Sequence, residues 1–315
     1  VFRNFITPHM QVRSLVGYAV EVLGARRFAI LYPDENYGWR YMNLFWDQVL
    51  DHGAVVNAVE AYDPSGTDFA NPIKKMAGLY YDIPADLKAE STPAVEHVAL
   101  AGLADLDGGR RDVIDDPVER LSGLPLKRTV IDDLMRPHPG RDDQWHPVVD
   151  FDAVFIPDAP KKAGLVIPQL AYYDIRDVYL LGTNLWNSRT LLEMSGEYMK
   201  GTLITDGFFA ESQSPTVSDF VTAFKEVYGS VPGIIEAVAY DSAMMVLRTM
   251  RRTATDSRRD LRLALSAMGA FDGVSGRTAF LPNGEADKTL KMLQIKKGRF
   301  VEVRQDPDPP ATPDQ

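Results

Sequence analysis

The sequence contains no cysteine, which excludes disulfide bridges and metal sites built on thiolates. No apolar run approaches the ~18 residues that a membrane-spanning helix needs. No secretory signal pattern opens the chain either. The segment that follows Val1 is strand-like from the start, so we expect a signal segment and further upstream residues to lie outside this chain.

Positive charge is in short supply. The chain has 34 Lys and Arg residues against 44 Asp and Glu residues, which gives a formal net charge of -10. Nucleic-acid binding needs clustered Lys and Arg to meet the phosphates, so a nucleic-acid partner is excluded. At 45% hydrophobic residues the composition is that of an ordinary globular protein.

The signatures of catalysis and of cofactor binding are also missing. The five histidines show no H-x-x-x-H spacing, and no G-x-S-x-G, S-x-x-K or phosphate-binding glycine loop occurs. His138 and His146 lie near two aspartates but without a ligand pattern. The sequence therefore predicts a protein that is not an enzyme and has no metal and no cofactor.

The clearest pattern is a βα unit. An apolar run at 28–32 meets a turn at 33–36 and then an amphipathic helix over 39–51, and a second strand follows at 54–62. Strands and helices continue to alternate after residue 150, which favours an α/β fold with parallel sheets. Residues 77–150 break the pattern and predict an irregular insertion. The Pro- and Asp-rich residues 304–315 predict a disordered tail.

Seven short motifs occur in an order that resembles the type I periplasmic-binding-protein family, the leucine/isoleucine/valine-binding proteins of bacterial ABC importers. They are FRNF (2–5), YPDENYG (32–38), YDPSGTDF (62–69), DAVFIPDAPKKAG (152–164), LLGTNLW (180–186), EAVAYDSA (236–243) and AFLPNGEA (279–286). Two of these motifs also resemble, in a longer form, the branch grouped with the lipoprotein activators of penicillin-binding proteins. The longer forms are IPDAPKKAGLVIPQLAYYDI and LLGTNLWNS.

The resemblance implies two doubly wound parallel-sheet lobes joined by a hinge, with the first half of lobe 1 absent from this chain. Residues 1–8 would enter through the hinge, and 9–182 would form lobe 2. Residues 183–286 would be the returning part of lobe 1, and 287–303 would return to lobe 2. It also implies a location in the periplasm or as a lipoprotein of the outer envelope.

Within that family, the tyrosine of the YG loop lines the lobe-2 wall of the ligand cleft. The resemblance places Tyr37 there, with Gly38 allowing a close backbone approach. The alternative is that both residues only form a βα turn.

Arg3, at the hinge entry, either faces the cleft and binds a carboxylate or forms an ion pair between segments.

Two positions depart from the family pattern. Asp158 stands where the family has an aromatic residue, and Asn184 stands where it has the acidic residue that pairs with the ligand's ammonium group. Asp158 would either restore a negative charge or cap the following helix. Trp186 either stacks on a ligand or packs internally, whereas we expect Trp39 to lie in the core. These departures put a branched-chain amino acid in doubt.

The leading hypothesis is a periplasmic solute-binding protein that delivers a small polar, amino-acid-like ligand to an ABC transporter permease by hinge closure. The alternative is a non-enzymatic interaction module that binds a penicillin-binding protein and regulates peptidoglycan synthesis. The replacement of the acidic cleft residue by Asn184 favours the alternative.

Overall fold

The computed structural model describes residues 1–79, 147–253 and 257–303. The chain divides into two units, one made of Val1–Ile73 with the residues from Asp150 onward, and one made of Lys74–Val149. In the described part of the second unit, the Val148 N–H donates to the Ala77 carbonyl oxygen at 2.9 Å. Most of the predicted insertion and the whole predicted tail lie outside the described residues.

The described helices and strands follow the predicted alternation. The helices are α1 (Pro8–Glu21), α2 (Asn36–Asp51), α3 (Ala70–Met76), α4 (Pro160–Tyr172), α5 (Arg189–Ser195), α6 (Pro215–Tyr228), α7 (Ile234–Thr253) and α8 (Arg258–Ser266). The strands are β1 (Arg27–Pro33), β2 (Val55–Tyr62), β3 (Ala153–Phe155), β4 (Tyr179–Gly182), β5 (Thr202–Asp206), β6 (Phe271–Gly273), β7 (Gly276–Phe280), β8 (Ala286–Lys288), β9 (Lys291–Lys296) and β10 (Arg299–Val303). In the described part of the chain, none of the helices combines the length and the hydrophobicity that a membrane crossing needs.

Strand β1 lies inside the larger sheet, whose described strands run in the order β10-β9-β5-β4-β3-β1-β2. All seven residues of β1 are buried, and the strand pairs in parallel with both β2 and β3. A strand that is covered on both faces reads as a continuous apolar run, which is why residues 28–32 show no alternation. The parallel α/β fold that the sequence predicts is confirmed.

The other edge of this sheet is antiparallel. Strand β9 pairs with β5, so that Asp206 lies opposite Lys291, and β10 returns beside β9 as a hairpin. Strand β5 itself pairs in parallel with β4, with Leu181 opposite Leu203. The predicted lobe boundary between residues 182 and 183 is therefore wrong for β5, because that strand continues the sheet of β4. The division into two lobes stays a prediction.

An aromatic stack joins the sheet to helix α2. The rings of Phe45 and Phe155 stack with centroids 4.2 Å apart and planes 8° apart, and Phe28 meets Phe45 edge-on at 5.6 Å. Leu15 and Val16 of α1 belong to the same buried cluster. Helix α1 begins after Thr7, whose hydroxyl accepts from the Met10 N–H.

The sequence did not predict β6 and β8, which flank β7 in a second, antiparallel sheet. The fully buried Asp241 holds the β6–β7 turn by accepting from the backbone N–H groups of Val274 and Ser275 at 2.9 and 2.7 Å. Lys288 donates to the Asn4 side chain at 2.7 Å and to the Thr278 hydroxyl at 2.6 Å. Burial lowers the pKa of Lys288 to about 8.

Helix α2 begins at Asn36, three residues before the predicted start at Trp39, because the chain turns tightly after β1. Gly38 is buried in the first turn of α2, and a Cβ atom on it would lie 2.0 Å from the carbonyl oxygen of Pro33. No side chain fits in that space. The tight turn therefore needs glycine at this position.

We predict that Gly38→Ala lowers the free energy of unfolding by about 1–3 kcal/mol, because backbone must move to admit the methyl group. An alanine for glycine exchange in a helix would otherwise stabilise by about 1 kcal/mol. Urea unfolding of the variant measures the change. Gly196→Ala is the matched control, since nothing lies within 4 Å of its added Cβ atom and its φ is -55°. A change of equal size in both variants would contradict the prediction.

Candidate functional site

The loops that follow β1, β3, β4 and β5 leave the sheet at the same edge, because these strands are parallel. In open α/β sheets this carboxyl edge is where ligands bind. Tyr37, Asp158, Asn184 and Asp206 all lie at it. The edge is therefore the candidate functional site.

Tyr37 joins two of these loops. Its hydroxyl lies 3.4 Å from the hydroxyl oxygen of Thr183, and its ring packs at 4.8 Å from that of Tyr41. The side chain is half-buried. Burial raises the pKa of Tyr37, and the charges of Asp158 and Glu35 add to the increase. The group is therefore a neutral hydroxyl that can both donate and accept a hydrogen bond.

Asn184 lies in a short 3-10 turn over Asn184–Trp186 and is half-buried. Its backbone N–H donates to the side-chain oxygen of Gln11 at 3.0 Å. Gln11 is 5% exposed and comes from α1, not from a loop. Gln11 was not predicted as a site residue, although an amide on the apolar face of α1, four residues before the buried Leu15, is a signal in the sequence that indicates it.

Asp158 is 8% exposed and uses both carboxylate oxygens within the protein. One accepts from the Tyr62 hydroxyl at 2.6 Å, and the other accepts from the N–H of Ala159 at 2.5 Å. The N-cap of α4 is Ala159, so the predicted capping role of Asp158 is wrong. Burial and then the charge of Asp158 raise the pKa of Tyr62, which keeps its hydroxyl as the donor.

Trp186 is 0% exposed, so the structure agrees with internal packing and not with stacking on a ligand. Its indole N–H donates to the carbonyl oxygen of Asp158 at 3.1 Å. The ring covers Gly182, where a Cβ atom would lie 2.2 Å from it. Trp39 was predicted to lie in the core but is 49% exposed, because its indole N–H reaches out to the Asp34 carboxylate at 2.8 Å.

Arg3 is not brought to the sheet edge. Its guanidinium is 74% exposed and forms an ion pair with Glu285, and the two residues also form a backbone bridge. The predicted alternative, an ion pair between segments, is the arrangement present. Such an exposed pair contributes little to stability.

Asp206 ends β5 and is a further residue of this edge that was not predicted from the sequence. It is 4% exposed and accepts from the Asn187 side chain at 3.0 Å and from the Gly207 N–H at 2.7 Å. Burial raises the pKa of Asp206 from 3.8 to about 6, and these hydrogen bonds limit the increase. Desolvation of the charged form therefore outweighs its partners.

No described part of this edge offers a metal site. Within residues 1–79, 147–253 and 257–303, no three His, Asp or Glu side chains are grouped to hold a metal ion. His138 and His146 lie outside those ranges. The described site therefore consists of the hydroxyl group of Tyr37 and the amide group of Asn184, together with the buried carboxylates of Asp158 and Asp206.

This architecture is that of a type I periplasmic binding protein. Residues 149–299 match the family model described as periplasmic binding protein. A protein from Rhodospirillum rubrum, whose name assigns it to branched-chain amino acid ABC transport, has 18% identity and a TM-score of 0.68 over 96% of this chain and 67% of its own. The leucine-binding protein LivK of Thermotoga maritima has 20% identity and a TM-score of 0.58 over 95% of this chain and 65% of its own.

A third solved structure is the branched-chain amino acid transporter substrate-binding protein LivJ of Streptococcus pneumoniae in complex with isoleucine. It has 18% identity and a TM-score of 0.56 over 96% of this chain and 67% of its own. The chain thus spans about two thirds of the length of these structures. No curated protein is significantly similar to it.

The comparisons confirm the resemblance that the seven motifs indicated. The chain has the type I periplasmic-binding-protein fold, and its residues 149–299 carry the sequence pattern of the periplasmic binding protein family. The narrower resemblance to the penicillin-binding-protein activators stays a prediction.

We predict that the buried Asp206 makes stability depend on pH between about 4 and 6. The folded state holds the proton of Asp206 more tightly than the unfolded state, so the free energy of unfolding rises as the pH falls through about 6 and levels off below 3.8. The full effect is up to about 3 kcal/mol. Denaturant unfolding of the wild type and of Asp206→Asn, at pH 4 and at pH 7, isolates this contribution because all other carboxylates are shared. Parallel pH profiles of the two proteins would contradict it.

Proposed function

We propose that this protein is a non-enzymatic, periplasmic solute-binding protein that delivers a small polar, amino-acid-like ligand to an ABC transporter permease. The observation that carries the proposal is the convergence of Tyr37 and the Thr183–Asn184 loop at the carboxyl edge of the large sheet. The fold and the match over residues 149–299 support the class of function.

The start of helix α2 suits a ligand carboxylate. Its N-cap is Glu35, which makes no side-chain capping bond, so the helix is not closed by a side chain at this end. The N–H groups of a first helical turn and the helix dipole favour an anion, and here they have to outweigh the nearby charge of Glu35. The solved neighbours include proteins in complex with isoleucine, with leucine and with benzoate, three ligands that share a carboxylate.

The opposite pole of the ligand would meet hydroxyl and amide groups and the negative charge behind them. Tyr37 and Asn184 offer hydrogen bonds without charge, and Asp158 lies within electrostatic reach of Tyr37. An ammonium group is attracted by that carboxylate even where it does not touch it. The proposed ligand is therefore zwitterionic and held mainly by hydrogen bonds.

Binding would act through the hinge that the family likeness implies. A ligand that contacts both lobes binds the closed form more tightly and so shifts the population towards it. The permease would recognise that closed form. Residues 1–8, whose Arg3 pairs with Glu285, are the proposed entry of the chain into lobe 2.

We predict that at least one zwitterionic amino acid in a thermal-shift panel, which includes L-leucine and L-isoleucine, raises the melting temperature of the full-length protein, whereas benzoate, which lacks the ammonium group, does not. A ligand present at 100 times its Kd stabilises the native state by about 2.7 kcal/mol, which is several degrees for a chain of this size. In Tyr37→Ala and in Asn184→Ala, the ligand concentration needed for the same rise in melting temperature should be at least tenfold higher, because each change removes hydrogen bonds to the ligand.

Tyr198→Ala is the control, since Tyr198 lies before β5, at the opposite edge of the sheet. A shift that persists in Tyr37→Ala would place the ligand elsewhere. The absence of any shift at millimolar ligand would contradict solute binding. Co-purification with a penicillin-binding protein in that case would favour the alternative, an interaction module of cell-wall synthesis.

A further inference from the structure

Gln11 is a buried amide that uses both ends of its side chain. The Nε2 group donates to the Tyr41 hydroxyl at 3.1 Å, and Oε1 accepts from the Asn184 N–H at 3.0 Å. The Gln11 backbone oxygen accepts in addition from the Thr205 hydroxyl at 3.4 Å. One residue of α1 therefore touches α2, the loop after β4 and strand β5.

The orientation of this amide is fixed by its partners. A backbone N–H can only donate, so the atom that faces Asn184 must be the oxygen. The nitrogen is then directed to Tyr41, whose oxygen accepts. A flipped amide would bring two donors together in a buried place, which costs free energy.

The contacts of Gln11 close a ring around the candidate site. Tyr41 packs against Tyr37, the Tyr37 hydroxyl lies beside the hydroxyl of Thr183, and Thr183 precedes Asn184, which returns to Gln11. Tyr37, in the first turn of α2, follows strand β1, and Asn184 follows strand β4, and these two strands are not adjacent in the sheet. The ring is what spans the gap between them in the described part of this edge.

We infer that Gln11 is a positioning residue that couples Tyr37 to the Asn184 loop, so that the two walls of the site move as one unit. The inference rests on the proposed function for its relevance to a ligand, but the coupling itself exists in the ligand-free protein. Gln11 touches the site residues through Tyr41 and through backbone, and is not placed to contact the ligand itself.

The coupling is tested by hydrogen exchange of the full-length protein without ligand, read at the Asn184 amide and over residues 183–187. Gln11→Met keeps the length of the side chain and removes both hydrogen bonds. We expect the Asn184 amide to exchange at least fivefold faster, which is the effect of losing one hydrogen bond.

The decisive variant is Tyr41→Phe, which removes one hydroxyl from α2 and leaves Gln11 and Asn184 intact. If Gln11 transmits the constraint, the Asn184 amide exchanges roughly two- to fivefold faster in this variant as well. Tyr18→Phe is the matched control, because it removes a hydroxyl from α1 farther along the helix and should leave residues 183–187 unchanged.

Val16→Ala separates coupling from a general loss of stability. Val16 is a fully buried residue of α1, so its truncation lowers the melting temperature, and under the inference it leaves Asn184 exchange unchanged. If Gln11→Met does not fold, Tyr41→Phe still decides. Unchanged exchange at Asn184 in Tyr41→Phe, or equal acceleration in Tyr18→Phe, would overturn the inference.

A second measurement links the ring to binding, with L-leucine and L-isoleucine as the probes in calorimetry. Tyr41→Phe should weaken either probe that binds the wild type by about threefold to tenfold, whereas Tyr18→Phe should not. If neither probe binds the wild type, these two amino acids are excluded as ligands, and the exchange result still decides the inference. Binding that is unaltered in Tyr41→Phe, together with unaltered exchange, would remove Gln11 from the site.

Discussion

The burial of strand β1 on both faces is the constraint on which the rest of the structure depends. A strand with seven buried residues has to satisfy its backbone through neighbours on both sides, and β2 and β3 supply those bonds in parallel. Parallel pairing requires crossover connections, and it brings the loops that follow the parallel strands to the same edge. The candidate site is thus a result of how the central strand is covered.

The sequence predicted the βα alternation, the parallel sheet and the family likeness, because apolar runs and helical periodicity are local signals. Strand β1 spans Arg27–Pro33, where the apolar run at 28–32 predicted it, and β2 spans Val55–Tyr62, where a strand was predicted at 54–62. Strands β6 and β8 were missed because each is three residues long, and the β6–β7 turn is held by a distant carboxylate, Asp241, that no local pattern connects to it. The boundary at residue 182 was wrong because it was carried over from the family and not from the pairing of β5.

The candidate site was predicted only in part. Tyr37 and Asn184 lie at the sheet edge because each follows a strand that the sequence predicts, and their role in binding a ligand stays a prediction. What each side chain contacts could not be predicted, because it depends on side chains far apart in the chain. Trp186 is an example. An aromatic residue after a strand is typical of a ligand cleft, but Gly182 leaves room for the Trp186 ring, which is therefore buried in the core. Gln11 and Asp206 are notable because they are polar residues that are buried, and burial cannot be read directly from the sequence.

The antiparallel pairing of β9 with β5 has a consequence for the order in which the molecule can be made. Strand β5 remains an open edge until residues 291–296 have been synthesised, and the hairpin with β10 adds the last layer. Contacts between such distant parts of a chain form late, because the loop between them must close first. A nascent chain on the ribosome would therefore carry an incomplete sheet, with the edge of β5 open to other chains, until residues 291–303 have emerged.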